Sequence, residues 1–374
     1  MKNIKSFKNP IYVTRPLLPS LEKVYEKIKE IWESQWLTNM GVQHKDLELK
    51  LINYLKVKYL TLFNNGTLAL QLAFQALNLT GEVITTPFTF PATTTSLFQC
   101  NLKPIYCDIR VDDFNINSEN IEDLINPDTS AILPVHVFGN PCEIEKIEKI
   151  AKNYNLKVIY DAAHCFGVEY KDVGIGNYGD ISMFSFHATK TFHTIEGGAL
   201  TYNNPELKEI LYLLKNFGIK SEEEVILPGT NAKMNELQAA IGLLNLELVD
   251  QEIEKRKKLS FIYREELDDV QGIRYLNDKK DVKHNYQYFP IIINEKEFKR
   301  NRNFVYETLK KYNIFTRKYF YPLTTSYKFC ENEEDCQIPN AELIAEQVLC
   351  LPLYGDLKRE DVEIVCKIIK KINS

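Results

Sequence analysis

No stretch of this 374-residue chain approaches the roughly 18 to 20 uninterrupted apolar residues that a membrane span requires, so a membrane protein is not expected. The segment Met1 to Leu18 has no continuous apolar run and no small-residue cleavage site, so a signal peptide is not expected and the cytoplasm is the expected compartment. The eight cysteines contain no Cys-x-x-Cys, which leaves neither a zinc site nor a dithiol redox motif signalled; no metal is expected, and reduced, mostly buried thiols are. No block of like charge stands out. With 46 Lys and Arg against 51 Asp and Glu, the formal charge is −5, and nucleic acid is not an expected partner. Internal repeats and low-complexity linkers are also missing. Asn65-Gly66-Thr67 fits a glycosylation sequon, which matters only in a secreted chain. What is present is ordinary for a globular protein: 44% hydrophobic and 26% charged residues, a balance that argues against disorder, collagen repeats and a coiled coil.

At about 150 residues per domain, the length suggests two domains, or one large domain with a smaller one attached. From Tyr59 onward short β-branched or aromatic runs alternate with stretches of helical period. Strands are expected at Tyr59–Phe63, Glu82–Thr86, Pro104–Asp108, Ala131–Val135 and Lys157–Tyr160, with helices such as Leu68–Leu77 and Glu143–Tyr154 between them. Such alternation implies an α/β fold with a mostly parallel sheet covered on both faces. Ligands in such sheets sit at the carboxyl ends of the strands. After Asn231 the pattern changes to a long helical stretch from about Asn235 to Leu267. A strand at Asn285–Ile293, a helix at Lys296–Lys311 and a strand at Ile314–Tyr319 follow, suggesting a smaller α+β domain. The expected bounds are 1–245 for the large domain and 246–374 for the small one. A helix at Leu21–Ser34 is expected to pack across the two.

Gly174-Ile-Gly176-Asn-Tyr-Gly179 matches the dinucleotide fingerprint G-x-G-x-x-G, but the strand-like Ile181–Phe186 follows it where a helix should begin. It reads as a turn, and a nicotinamide-binding domain is disfavoured. Asn64-Asn65-Gly66-Thr67 lies between a strand and a helix, where free N–H groups and a glycine make a phosphate site; alone, it would read as an N-cap. Asp161 directly follows a strand at the ligand-facing end of the sheet. There it could be a metal ligand, a ribose partner, the counter-ion of a protonated ring nitrogen or an N-cap. Lys190, in Ser185-Phe-His-Ala-Thr-Lys190, is followed by Glu196-Gly197-Gly198. A lone lysine there is usually a solvated charge. Phosphate loop, acid and lysine in this order are what pyridoxal phosphate needs: a cradle, an acid to keep its ring nitrogen protonated and an amine to form the Schiff base. Ser185 could add a hydroxyl to the phosphate.

These segments, taken in order with Phe88-Thr-Phe90-Pro-Ala-Thr93, Pro134-Val-His136-Val-Phe-Gly139, Asp161-Ala-Ala-His164 and Gly229-Thr-Asn231-Ala-Lys-Met234-Asn-Glu-Leu-Gln238, resemble the DegT/DnrJ/EryC1/StrS family of nucleotide-sugar aminotransferases. The resemblance runs from about residue 10 to 355. It implies the fold-type-I aminotransferase architecture, with pyridoxal 5'-phosphate in the large domain, and a homodimer with active sites at the subunit interface. It makes Lys190 the Schiff-base lysine and Asp161 the partner of the pyridinium nitrogen. His164 falls where the cofactor's ring oxygen is bonded, and Gly66, Thr67 and Ser185 where the phosphate is held. Phe90 would stack on the ring, unless it is a core aromatic like Phe88, and Asn231 would reach the neighbouring subunit's phosphate.

Where many relatives carry His-Tyr-x-Pro-x-His, this chain has Tyr319-Phe-Tyr321-Pro-Leu-Thr, preceded by Arg317-Lys318. With Trp36-Leu-Thr38-Asn39 this is similar to the branch that aminates C-4 of dTDP-4-keto-6-deoxyglucose, for surface polysaccharide such as lipopolysaccharide O-antigen. Thr38, Asn39, Arg317, Tyr319 and Tyr321 are therefore the expected substrate contacts, and glutamate the expected amino donor. Lys233 stands where relatives often have arginine. The alternatives are a 3-aminotransferase acting on a 3-keto sugar, a sugar dehydratase, against which Lys190 argues because histidine replaces the lysine there, and a silent regulatory protein that keeps the fold.

Overall fold

The computed structural model describes residues 4–330 and 336–373; positions 1–3, 331–335 and 374 of the two expected domains lie outside the described residues. The central sheet comprises β1 (Tyr59–Phe63), β2 (Glu82–Thr85), β3 (Lys103–Tyr106), β4 (Thr129–Leu133), β5 (Lys157–Asp161), β6 (Ile181–Ser185) and β7 (Gly198–Tyr202), in the spatial order β1-β7-β6-β5-β4-β2-β3. Only β7 runs against the rest, pairing antiparallel with β1 and β6. The α/β fold and the mostly parallel mixed sheet expected from the sequence are what the structure shows.

Both faces are covered because each strand alternates its side chains between two apolar layers. Val83, Ile159, Ile181 and Met183 pack with helices α1 (Gly66–Ala76) and α2 (Glu206–Lys215). Ile84, Val158, Tyr160 and Phe184 pack instead with the helices at Val42–Leu55, Ile144–Tyr154 and Glu236–Leu246. A second core surrounds a three-stranded antiparallel sheet of Ile273–Tyr275, Phe289–Ile293 and Val348–Leu351. Phe289, Ile291 and Ile293 face its own helices, while Tyr288 and Ile292 join an aromatic cluster with Phe88, Phe114 and Phe138 from the central-sheet part. That parity turns Tyr288 toward the central-sheet part.

Several expected elements are shorter. Asn235–Leu267 is two helices, Glu236–Leu246 and Val249–Leu267, the first opened by an Asn235–Gln238 capping box. Lys296–Lys311 breaks where Lys299 turns left-handed (φ 63°), and Asn301 caps a new helix by accepting the Phe304 N–H at 2.9 Å. The strand at Ile314 ends at Phe315 after pairing with Ile11–Tyr12, leaving Arg317 to Tyr321 outside the strand. The Leu21–Ser34 helix buries only Ile31 and lies against Glu236–Leu246. The residues before it make the contact with the smaller core instead: Phe7 N–H bonds the Tyr312 carbonyl at 3.1 Å, and Ile11 is part of that core. The Gly174–Gly179 segment is a short strand end, a 3-10 turn and a left-handed Gly179 (φ 74°) leading into β6, with no helix after it. No helix among the described residues is long and apolar enough to cross a membrane. Cys107, Cys142, Cys165, Cys350 and Cys366 are buried free thiols.

Candidate active site

Asp161 ends β5 and Ser185 ends β6, both in the alternation register of Ile159 and Met183, so both turn to the face that α1 covers. The same face receives the start of the helix Pro91–Gln99. Strand C-termini and helix N-termini thus converge on one cleft with about 1070 Å³ of empty space. It is walled by Gly66, Thr67, Phe90, Asp161, His164, Ser185 and Lys190.

At the phosphate-like end, Asn65 Oδ1 accepts the Leu68 N–H at 2.8 Å and the Asn65 carbonyl accepts the Ala69 N–H. The Gly66 and Thr67 amides remain as the uncapped donors of the first turn, beside the Ser185 side chain. Gly198 permits this close approach: a Cβ there would lie 2.7 Å from the Gly66 nitrogen and 2.8 Å from Asn65 C.

Asp161 is buried. Its Oδ2 accepts from the Thr93 hydroxyl at 2.8 Å and its Oδ1 from the Ala163 N–H at 3.1 Å. Thr93 has one hydroxyl hydrogen and gives it to the carboxylate, so Thr89, 2.8 Å away, is the donor to Thr93. Burial pushes the Asp161 carboxyl up, while Thr93, Ala163 and the Lys190 charge pull it down. Lys190 sits on the loop after β6, where burial draws its amine down to about 8 against the pull of Asp161 and Cys165. The amine is therefore partly unprotonated near neutral pH. His164 is neutral, held well below the ordinary imidazole range by burial and then by Lys190. Its Nδ1 accepts the Phe138 N–H at 3.2 Å, so the ring's proton is on Nε2.

Phe90 resolves the choice left by its neighbour. Residues 87–90 are not strand; Phe88 is wholly buried in the aromatic cluster, whereas Phe90 is 51% exposed on the cleft wall. Arg317 and Tyr319 also line the cleft, and Tyr321 lines an adjoining cavity. Thr38 and Asn39 lie in the bend between two helices, outside the cleft of their own chain. Asn231 is exposed on the loop before Glu236, with its carbonyl near the Asn64 amide, and does not line this cleft either.

The structure adds residues that sequence reasoning missed. Thr93 was visible within Phe90-Pro-Ala-Thr93, but only its bond to Asp161 marks it. Gln287 Oε1 accepts from the Thr191 N–H and hydroxyl, both at 2.7 Å, and its Nε2 donates to the Thr189 carbonyl at 3.1 Å. It therefore clamps the residues on either side of Lys190. Asn285 donates to the His164 and Phe166 carbonyls at 2.8 and 3.0 Å, and Tyr288 stands edge-on to the His164 ring, 5.1 Å between centroids. The extended segment just before the strand Phe289–Ile293 of the smaller sheet thus holds both chemical loops, and no local pattern signals this.

The DegT/DnrJ/EryC1/StrS aminotransferase family model matches residues 20–370. The chain is 45% identical over 364 residues to a dTDP-4-amino-4,6-dideoxy-D-glucose transaminase of Shigella dysenteriae, covering 97% of this chain and 99% of that protein. It is 32% identical to a GDP-perosamine synthase of Escherichia coli O157:H7, covering 98% of each. Among solved structures, DesI in the presence of its TDP-sugar product superposes with a TM-score of 0.95 at 31% identity, over all of this chain and 95% of that one. The chain belongs to the DegT/DnrJ/EryC1/StrS aminotransferase family. It is an aminotransferase, and its cofactor is pyridoxal 5'-phosphate.

Proposed function

We propose that this aminotransferase moves the amino group of glutamate onto C-4 of a nucleotide-linked 4-keto-6-deoxy sugar, dTDP-4-keto-6-deoxyglucose, to give the 4-amino-4,6-dideoxy sugar used in surface polysaccharide. The observation that carries the chemistry is the cleft in which a partly unprotonated Lys190, a paired Asp161 and a neutral His164 stand with the free amides of Gly66 and Thr67. The choice of sugar rests on the Shigella relative and on Arg317, Tyr319 and Tyr321 at the mouth.

When bound, pyridoxal phosphate supplies an aldehyde carbon that carries the amino group and a ring that takes up the electron pair left by a departing proton. The uncapped amides of Gly66 and Thr67, with the Ser185 hydroxyl, suit its dianionic phosphate. Asp161, fixed by Thr93 and Ala163, would hold the proton on the ring nitrogen. His164, with its proton on Nε2, would offer that hydrogen to the ring oxygen. Phe90, on the cleft wall, would cover one face of the ring and keep water from it. Lys190 Nζ would move the proton between the donor's Cα and the carbon that the bound group supplies, and the clamp of Gln287 on residues 189 and 191 fixes the loop that carries it.

The working assembly in this reading is a cytoplasmic homodimer in which Asn231 and the Thr38–Asn39 bend serve the partner's site. Their positions outside their own cleft support it. The large domain, 1–245, then carries the cofactor and the small one, 246–374, closes the cleft with Tyr288, Arg317 and Tyr319. The test is incubation of the purified protein with glutamate and dTDP-4-keto-6-deoxyglucose, with NMR of the product. A 4-amino sugar is expected; a 3-amino product from a 3-keto sugar, or no transfer to any keto sugar nucleotide, overturns the reading.

A further inference from the structure

Arg256, midway along the helix Val249–Leu267, is a charged side chain with no exposure at all. Its Nε donates to Glu252 Oε1 at 2.6 Å, one turn earlier on the same helix, and that oxygen also accepts the Gly355 N–H at 2.8 Å. Glu252 is buried as well. Arg256 Nη1 reaches past this pair and donates to the main-chain carbonyl of Gln287 at 3.2 Å. Gln287 is the residue whose side chain grips the Thr189 carbonyl and the Thr191 N–H and hydroxyl. Further along the same loop, Asn245 donates to the His193 carbonyl at 2.9 Å, and His193 Nε2 donates to the Leu17 carbonyl at 2.7 Å. The loop is thus held on both sides of Lys190, whose own amide bonds back to the His187 carbonyl at 2.9 Å. The charge of Arg256 is felt on this loop: burial holds the His193 imidazole below its ordinary range against its bond to Leu17, and the charges of His187 and Arg256 add to the lowering.

Cohesion alone does not call for this pair. Taking two charges out of water costs about as much as their attraction returns, and apolar side chains of similar volume often serve a core as well or better. What a guanidinium does and an apolar chain cannot is to fix the direction of a carbonyl with one arm of a rigid fork while a carboxylate anchors the rest of it. Here that carbonyl belongs to the residue that clamps the reactive loop. We infer that Arg256, anchored by Glu252, is a positioning residue for Lys190 and acts through Gln287: the guanidinium sets the place of Gln287, and Gln287 sets the place of the loop. Because Glu252 also takes the Gly355 N–H, the same pair ties the chain after the strand Val348–Leu351 to the reactive lysine. The inference rests on Lys190 being the reactive amine in the reading above and concerns how that amine is held.

The test is a charge-balanced variant, Arg256→Met with Glu252→Gln, which removes the anchor without leaving a lone buried charge and keeps an acceptor for the Gly355 N–H. Thermal melting establishes that it is folded; if it is not, Arg256→Lys, which keeps the charge beside Glu252 and loses the fork, carries the same test. In the cofactor-free protein, hydrogen exchange at the Thr191 amide, which Gln287 protects, should quicken by about tenfold or more. The pH midpoint for capture of added pyridoxal phosphate should move upward from about 8, because a loosened loop lets water reach Lys190. In the loaded enzyme kcat with glutamate should fall by about tenfold or more while KM changes little. Gln287→Leu should give the same pattern, and combining it with the charge-balanced pair should add no further loss, because the two act in series. Unchanged Thr191 exchange and an unchanged midpoint in the folded variant make Arg256 a packing residue and overturn the inference. Losses that multiply in the combination show a route other than Gln287 and overturn it equally. If Lys190→Ala captures the cofactor as the unaltered protein does, the assignment of Lys190 falls instead, and the Thr191 exchange still decides whether Arg256 holds the loop.

Discussion

Thr93→Val is the substitution that most directly probes how Asp161 works. It keeps the shape of the side chain and deletes one hydroxyl, whose hydrogen bonds Asp161 Oδ2 at 2.8 Å in a wholly buried position. Removing a donor from a charged acceptor costs about 1.5–3 kcal/mol. Because the bond favours the carboxylate over the carboxylic acid, the loss raises the Asp161 pKa, adding to the upward push that burial already exerts. A carboxylate that protonates more readily, and is held at one oxygen fewer, steadies the ring nitrogen's proton less well. If the loss is expressed in the transition state, the half-reaction with glutamate slows about 10- to 150-fold. Stopped-flow absorbance of the cofactor band, with glutamate and no sugar, measures that rate across pH. The acid limb of the profile should move to higher pH in Thr93→Val and return in Thr93→Ser. A valine variant that is folded and cofactor-loaded, with an unshifted acid limb and an unchanged rate, would refute the assignment of Thr93 as the residue that sustains the Asp161 charge.

Other outcomes follow from the same site. Asp161→Asn should slow the glutamate half-reaction far more than it weakens cofactor binding; equal losses would make Asp161 a structural ligand only. Lys190→Ala should fold yet fail to turn over, and mixing it with Asn231→Asp chains should restore part of the activity in reassembled dimers. Activity no higher than either parent, with mixed dimers verified by mass spectrometry, would rule out Asn231 acting in the partner's site. Gly198→Ala drives a Cβ to within 2.7 Å of the Gly66 nitrogen, a clash with backbone that costs about 1–3 kcal/mol, so equilibrium dialysis should show cofactor affinity about tenfold lower or worse. Lys190 must be unprotonated to capture the cofactor's aldehyde, and its pKa of about 8 lies below the ordinary 10.5. The capture rate by cofactor-free protein should therefore rise with pH through about 8 and flatten by about pH 9; a rate still climbing toward pH 10 would show an unshifted lysine.

What the sequence determined by itself is what depends on neighbours along the chain. Period-two runs ending in Asp161 and Ser185, and the Asn65-Gly66 turn before a helical stretch, are local patterns, and local sterics and hydrogen bonding are enough to set them. Six of the seven strands of the central sheet were legible because each is bracketed by a turn and carries buried apolar residues, whereas β7 (Gly198–Tyr202), the one antiparallel strand, was not expected. Boundaries that depend on contacts from elsewhere were not. The long helix after Asn235 breaks at residues 247–248, and its second half runs from the first core, where Val249 packs, into the second through Leu259, Tyr263 and Leu267; the strand at Ile314 pairs with Ile11–Tyr12 for two residues, after which Arg317 bridges to Cys350 of the smaller sheet instead. The separation of Phe88 from Phe90 could not be read from alternation, since neither lies in a strand and the aromatic cluster that buries Phe88 comes from distant segments. The same holds for Thr93, Gln287 and Asn285. A threonine or an amide carries no sign of its partner in the sequence, and Gln287 lies 96 residues from the Thr191 it holds. Chemistry borne by one residue at a strand end is visible in one dimension, whereas the packing that fixes its charge and position exists only once the two cores have come together.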